Sequence, residues 1–452
     1  MKRVAQSRLK KSSQAGFTLI ELAISLIVIV EVLLGILMLF DFTNKLSHAQ
    51  TNIADMQSSL RAAESEMEST IRMAGRGGLK FSNVSPGQAI WVRDNVLPSS
   101  RLGDATSPQV VTGTDVLTVR GVFTAPIYQI NFKDTATIEF KTAAGVVTGN
   151  PALAATGTLK IKRLSPTGIV QDLQPLADAI TASIHEALVL VSASRPDTNA
   201  VVELLPTTST QIVDVNGIVT DVTFAFKLRS GAPADLVTAY NLLGSIGSYP
   251  ASLTSVSAVG LLEEHRFYIR DSYAIANNAA SDPTPKLTRA RFMPGTDIAY
   301  GPTGGANSAN LSIDVADNVL DLQVALALDT VSHIPAAGEP AGLTSIAADR
   351  VNGYISEAST GVNDDWLYNS TNDDAANAVW TNVPVYFVRL SLVARTDRRD
   401  PKYEAPVLGR IEDRTYLGTD PLNVANATAG SRQLRQFRRR LLQTVIDVRN
   451  NV

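Results

Sequence analysis

The sequence predicts an α+β protein: a long N-terminal helix, hydrophobic and then amphipathic, packed against a large, mainly antiparallel β-sheet head. Three observations predict it. Residues 17–40 form an almost uncharged apolar run, and apolar residues then recur at helical spacing with no proline as far as Ala74. After Gly78 come short runs of alternating apolar and polar residues, divided by Gly, Pro, Asn and Asp. With 452 residues, 45% of them hydrophobic, the chain has enough apolar material for a sizeable core.

The first element is a basic leader. Residues 1–16 carry Lys2, Arg3, Arg8, Lys10 and Lys11 and no acid. Without these five charges the formal net charge of −3 becomes −8, which argues against a general nucleic-acid or anionic-membrane binder. The absence of cysteine excludes disulfides and thiolate zinc sites.

The second element, residues 17–40, has Glu21 and Glu31 as its only charges. As a helix it spans roughly 36 Å, enough to cross a bilayer. The basic leader puts the N-terminus in the cytoplasm and residues beyond Asp41 outside. An ordinary secretory signal places a small residue after its apolar core, whereas here Gly16 precedes it. A carboxylate in hydrocarbon costs several kcal/mol unless paired, so Glu21 calls for a cationic partner. Glu31 lies about 15 Å further along and on a different face. It reads either as tolerated by snorkelling or protonation, or as a second intramembrane pairing site.

The third element, 41–75, places Leu46, Ile53, Met56, Leu60, Ala63, Met67 and Ile71 on one face. One nearly continuous helix is expected from Phe17 to Ala74, roughly 87 Å long, with Gly35 as the weak point and Gly75, Gly77 and Gly78 as the stop. Its distal half is expected to lie against the head. In that head, 76–452, strands are expected at 113–123, 135–140, 156–164, 186–193, 221–228, 266–275, 320–328 and 385–395, and the closing "RRRLLQTVIDVRN" continues the series. Residues 141–159 and 229–260, rich in Ala, Thr and Gly, read as insertions.

The stretch "KKSSQAGFTLIELAISLIVIV" (10–30) resembles the N-terminus of type IV prepilins and type II secretion pseudopilins. The resemblance implies that prepilin peptidase cuts between Gly16 and Phe17 and methylates the new Phe17 amine. It also implies that the apolar helix anchors the subunit in the inner membrane before moving into a filament core, where Glu21 meets an N-terminal amine, usually that of a neighbour. Five further stretches, "STIRMAGRGGL", "TDVLTVRG", "DNVLDLQVALALD", "VRLSLVARTDRRDP" and "FRRRLLQTVIDVRN", resemble the PilW-type minor pilins in the same order. The implied role is a minor pilin of a priming or tip complex. Its implied partners are other minor and major pilins and the inner-membrane assembly platform, and its implied final place is the pilus at the cell surface. A minor pseudopilin of type II secretion, or a tip adhesin or DNA-binding subunit, are the alternatives.

Enzymatic chemistry is not expected, nor any cofactor. His48, His185, His265 and His333 lack metal-ligand spacing. The glycines of 301–310 fit no phosphate-binding loop, and no GxSxG elbow is present. "NDDWLYNSTNDD" (363–374) gathers Asp364, Asp365, Asp373 and Asp374, a weak Ca²⁺ candidate without EF-hand spacing that otherwise reads as a solvated acidic loop. Arg432, Arg435, Arg438, Arg439 and Arg440 form a basic cluster with only Phe437 as an aromatic neighbour, which argues against single-strand nucleic-acid binding. Arg438, Arg439 and Arg440 are instead candidates for contact with acids of the head or of a partner subunit.

Overall fold

In the computed structural model the described residues are 18–77, 79, 89–96, 110–124, 126–130, 138–148, 155–181, 187–192, 199–227, 256–270, 284–292, 294, 312–328, 366–369, 385–400, 402–418, 420, 422–423 and 435–448. The chain divides into two compact units, one reaching to Asp55 and the other starting at Met56. Helix α1 (Leu19–Arg72) contributes to both.

The helix runs unbroken through Gly35, the weak point of the continuous helix expected from sequence. A glycine weakens a helix by about 1 kcal/mol but removes no backbone hydrogen bond, so the ladder survives it. Termination falls where expected. Gly75 and Gly77 take left-handed φ values of 71° and 107°, which a side chain would resist; Gly78 lies outside the described residues. The buried face is shorter than the apolar periodicity suggested: Met56, Leu60, Ala63, Met67, Thr70 and Ile71 are buried, whereas Ile53 is only half-buried and Leu46 is 48% exposed.

The head is mainly antiparallel sheet. Its larger sheet holds β1 (Ile90–Arg93), β2 (Val116–Gly121), β3 (Tyr128–Gln129), β4 (Ile138–Lys141), β5 (Val147–Thr148), β6 (Thr156–Lys162), β7 (Ala187–Ser192), β8 (Asn199–Val213), β9 (Val219–Lys227), β10 (Val256–Arg270), β11 (Lys286–Phe292) and β12 (Ser312–Asp317). The strand order is β1-β2-β10-β7-β8-β9-β6-β4-β5; β3 and β11 also pair with β10, and β12 with β11. Strand β10 joins the two parts of this sheet: residues 256–262 pair with β7, and residues 263–270 pair with β2 and β11. The short helix α2 (Gln174–Thr181) buries Leu176, Ala177, Ala179 and Ile180 in a core with Leu188, Leu204, Phe224 and Phe226.

A second sheet comprises β13 (Val319–Leu328), β14 (Trp366–Leu367), β15 (Val385–Arg395) and, beyond the small hairpin β16 (Arg410–Ile411) and β17 (Arg414–Thr415), β18 (Arg439–Asp447). Its order is β14-β13-β15-β18. Strand β13 is buried along its whole length, its apolar residues together with Asp321 and Gln323.

Strands occupy every predicted stretch and also extend into the two segments read as insertions. Residues 141–159 contain β5 and the start of β6, and β10 begins at Val256, inside 229–260. Small Ala, Gly and Thr residues there serve close strand packing: an added Cβ at Gly157 would lie 2.5 Å from the Phe226 ring. Strand β8 escaped the periodicity because Pro206 interrupts it, and the ladder accommodates the proline through a register shift between Leu205 and Thr210. Residues 271–275 and most of 229–260 lie outside the described residues.

Candidate assembly site

Thr18 caps α1. Its N–H and its hydroxyl both donate to Glu21 Oε2, at 3.0 and 2.9 Å, and the Glu21 N–H donates back to Thr18 Oγ1 at 3.4 Å. This reciprocal arrangement is a capping box, legible in the sequence as Thr-x-x-Glu and passed over there. Glu21 is thereby held at the helix N-terminus, where the helix dipole favours a carboxylate. Gly16 and Phe17 lie outside the described residues.

Between Leu19 and Phe42, eighteen large apolar side chains are 47–87% exposed, and Glu31 is exposed among them. Each buried aliphatic or aromatic side chain is worth roughly 1.5–3 kcal/mol, so a surface of this extent calls for lipid or other helices rather than water. By length and composition α1 can cross a membrane.

In the head, the C-terminal turns of α1 meet the larger sheet. The Gly75 N–H donates to the Arg120 carbonyl at 2.9 Å, and the Val122 N–H to the Arg76 carbonyl at 2.9 Å. A Cβ on Gly121 would sit 3.0 Å from the Met73 carbonyl oxygen, so a glycine lets β2 approach the helix end. Glu66 forms an ion pair with Arg289 of β11.

A row of buried charges crosses the same strands. Glu264 is fully buried and accepts from Arg120 Nε at 2.7 Å and from Arg266 Nε and Nη2 at 2.7 and 2.5 Å. Arg266 also stacks on Phe292 at 4.2 Å. Next along β10, burial pushes the Glu263 carboxyl up, but the hydrogen bond to His265, the Arg291 charge and the Thr124 N–H outweigh it and hold it at about 2. His265 is therefore a structural partner, 3.2 Å from Glu263 and edge-on to the Phe123 ring. His48 is exposed on α1, and His185 and His333 lie outside the described residues.

The hairpin β16–β17 was not singled out from sequence, yet it joins the two sheets. Its turn residue Glu412 adopts φ 52° and accepts from Arg389 at 2.6–3.2 Å, Ser391 at 2.7 Å and Gln443 at 2.8 Å. Asp413 accepts from the Asn95 amide at 2.7 Å, and Arg414 reaches Asp321 of β13 at 2.9 Å. Beside it Asp115 works as a surrogate strand. Its N–H donates to the Leu322 carbonyl at 2.9 Å, and its carboxylate accepts the Val324 N–H at 2.7 Å. Burial pushes Asp115 well above the usual carboxylate range, with Asp94 and Asp413 adding repulsion. Burial likewise pushes Asp321 up to about 6, against the pull of Arg414. These groups bind one another across element boundaries; they do not form a nucleophile–base pair.

Three of the tail arginines are engaged within the head. Arg435 pairs with Glu404 at 2.8 Å and donates to the Ala405 carbonyl, Arg438 pairs with Asp400 at 3.1 Å and lies over Tyr403, and Arg439 donates to the Leu422 carbonyl at 2.8 Å. Arg440 is exposed, and Arg432 lies outside the described residues. So do Asp364, Asp365, Asp373 and Asp374; among the described residues no group of three or more His, Asp or Glu is arranged to hold a metal.

Residues 272–450 match the family model of the type IV pilus-assembly protein W. The chain is similar to that family over a segment running from β11 to β18. No curated protein and no solved structure matches the chain.

Proposed function

We propose that this chain is a minor pilin of a type IV pilus, a non-enzymatic subunit that helps prime assembly and remains at or near the filament tip. The observation that carries the reading is the division of α1: a fully exposed aliphatic half bearing Glu21 near its start, and a second half with one face buried in the head. The match of residues 272–450 to a pilus-assembly family supports the same conclusion.

In this reading prepilin peptidase cuts after Gly16 and methylates Phe17, and the subunit waits in the inner membrane with its head in the periplasm. The Thr18 cap keeps the Glu21 carboxylate hydrogen-bonded in the single subunit. During assembly an N-terminal amine replaces those neutral donors with a full positive charge, an exchange favoured in a low-dielectric filament core. Glu31 supplies a second acid about 15 Å away for a neighbouring helix. The bulky head favours low copy number, docking with other minor pilins rather than repeating along the fibre.

Mass spectrometry of filaments sheared from the cell surface tests this. A low-abundance peptide beginning at N-methylated Phe17 is expected. The processed chain found only in the cell envelope would point to a type II secretion pseudopilin, and an intact Met1 would overturn the reading.

A further inference from the structure

Among the described residues, strand β18 is an undefended edge of its sheet. Proteins blunt exposed sheet edges with short strands, bulges, prolines or inward charges. Elsewhere in the head these devices are visible: β1 has four residues, β5 and β14 have two each, and β12 carries Asp314 and Asp317 and pairs with a register shift. In contrast β18 pairs with β15 over nine residues without a shift, and its middle, Leu441 to Ile446, has neither charge nor proline. Leu441 is 49% exposed and Val445 53%. Among the described residues no strand pairs with its outer side.

Ladder parity identifies the groups on that outer side. The Thr396 N–H donates to the Arg438 carbonyl, and the Val448 N–H to the Tyr386 carbonyl. Even-numbered residues therefore bond to β15, and the N–H and C=O groups of Arg439, Leu441, Gln443, Val445 and Asp447 point outward. These five residues are complementary to their own reversal. In an antiparallel pairing centred on Gln443, Arg439 faces Asp447, Leu441 faces Val445, and Gln443 faces itself. Both ends then carry opposite charges and the centre carries an aliphatic pair on each side, contacts that stabilise cross-strand neighbours. Burial and the neighbouring Arg435 hold Arg439 down at about 10, against the pull of Asp420.

We propose that β18 is a self-docking edge through which two copies of this chain pair antiparallel about Gln443, joining two four-stranded sheets into one. The association is isologous, with one strand serving as both donor and acceptor.

The chain has no cysteine, so single cysteines report the register directly. In the detergent-solubilised full chain, Gln443→Cys places two thiols on directly opposed residues with Cα atoms about 5.5 Å apart, within disulfide range. Gln443→Cys is expected to oxidise mainly to a covalent dimer. Leu441→Cys alone and Val445→Cys alone leave their thiols roughly 14 Å apart and stay monomeric, but mixing these two variants yields a heterodimer. Asp447→Arg abolishes the dimer, and adding Arg439→Asp restores it. A monomeric Gln443→Cys that retains its β-sheet circular dichroism would overturn the proposal. Equal cross-linking of all single variants, or no heterodimer from the mixed pair, would overturn it too. The mixed pair leaves Gln443 intact, so the test survives any loss of its bonds to Glu412 and Ser391. Cross-linking of Gln443→Cys only to a different envelope protein would assign the edge to that partner instead.

Discussion

Glu264 holds two buried arginines together, so its loss should be costly to the head. It is 0% exposed, and its two carboxylate oxygens hold Arg120 and Arg266, which are 1% and 2% exposed. Glu264→Gln removes the negative charge, keeps the shape, and turns an amide NH₂ towards a guanidinium. Two buried cations are then left undercompensated, and breaking a buried pair in this way costs about 3–5 kcal/mol. The stacking of Arg266 on Phe292 contributes at most about 2 kcal/mol and does not offset that. Denaturant unfolding of the full chain in detergent, followed by circular dichroism of the sheet, measures the cost as a fall in midpoint at constant slope. Replacing the whole row, with Arg120→Met, Glu264→Leu and Arg266→Met together, should bring stability back to within about 1–2 kcal/mol of the original, because apolar replacements need no desolvation. A loss below about 1 kcal/mol for Glu264→Gln, or a triple variant weaker than the single one, would refute the reasoning. The half-exposed pair of Glu66 with Arg289 provides the contrast: Glu66→Ala should cost under about 1 kcal/mol.

Further outcomes follow from other sites. Asp321 has a folded pKa of about 6, above its unfolded value, so the folded state binds the extra proton and this group's contribution to stability is lost as pH rises from about 4 to 6. Asp321→Asn should flatten that part of a plot of unfolding free energy against pH by about 3 kcal/mol, and an unchanged slope would contradict it. Met67, fully buried on α1, should cost about 2–5 kcal/mol as Met67→Ala and raise amide exchange in residues 56–72. Gly121→Val should destabilise by about 1–3 kcal/mol, since its Cβ presses on a carbonyl that cannot swing away. Glu21→Ala should leave the head folded while removing the subunit from sheared filaments, and unchanged incorporation would refute the amine-pairing role.

How much of this was legible beforehand differs by element. Segments with a strong local signal were: the helix from Leu19 to Arg72 and the mostly apolar strands β13 and β15 needed only local pattern. Segments where the local signal conflicts with the fold were not. Pro206 hid β8, and the two-residue strand β5 is too short to carry a period. Glu412, Asp413 and Arg414 carry no local signal of burial, yet the fold packs them against Arg389, Asn95 and Asp321.

The sequence by itself determined the anchor and its terminus: the apolar run, the acid at Glu21, the capping threonine at 18 and the glycines that stop the helix. Those properties depend on residues within one or two turns of each other. Only the tertiary structure decided where burial of the helix begins, how β10 serves two sets of partners, and which charges are buried. These depend on groups brought together from far apart, such as Arg120 with Glu264 and Asp115 with Val324. It also decided that β18 is the last strand of its sheet among the described residues, because an edge is defined by what lies beside it.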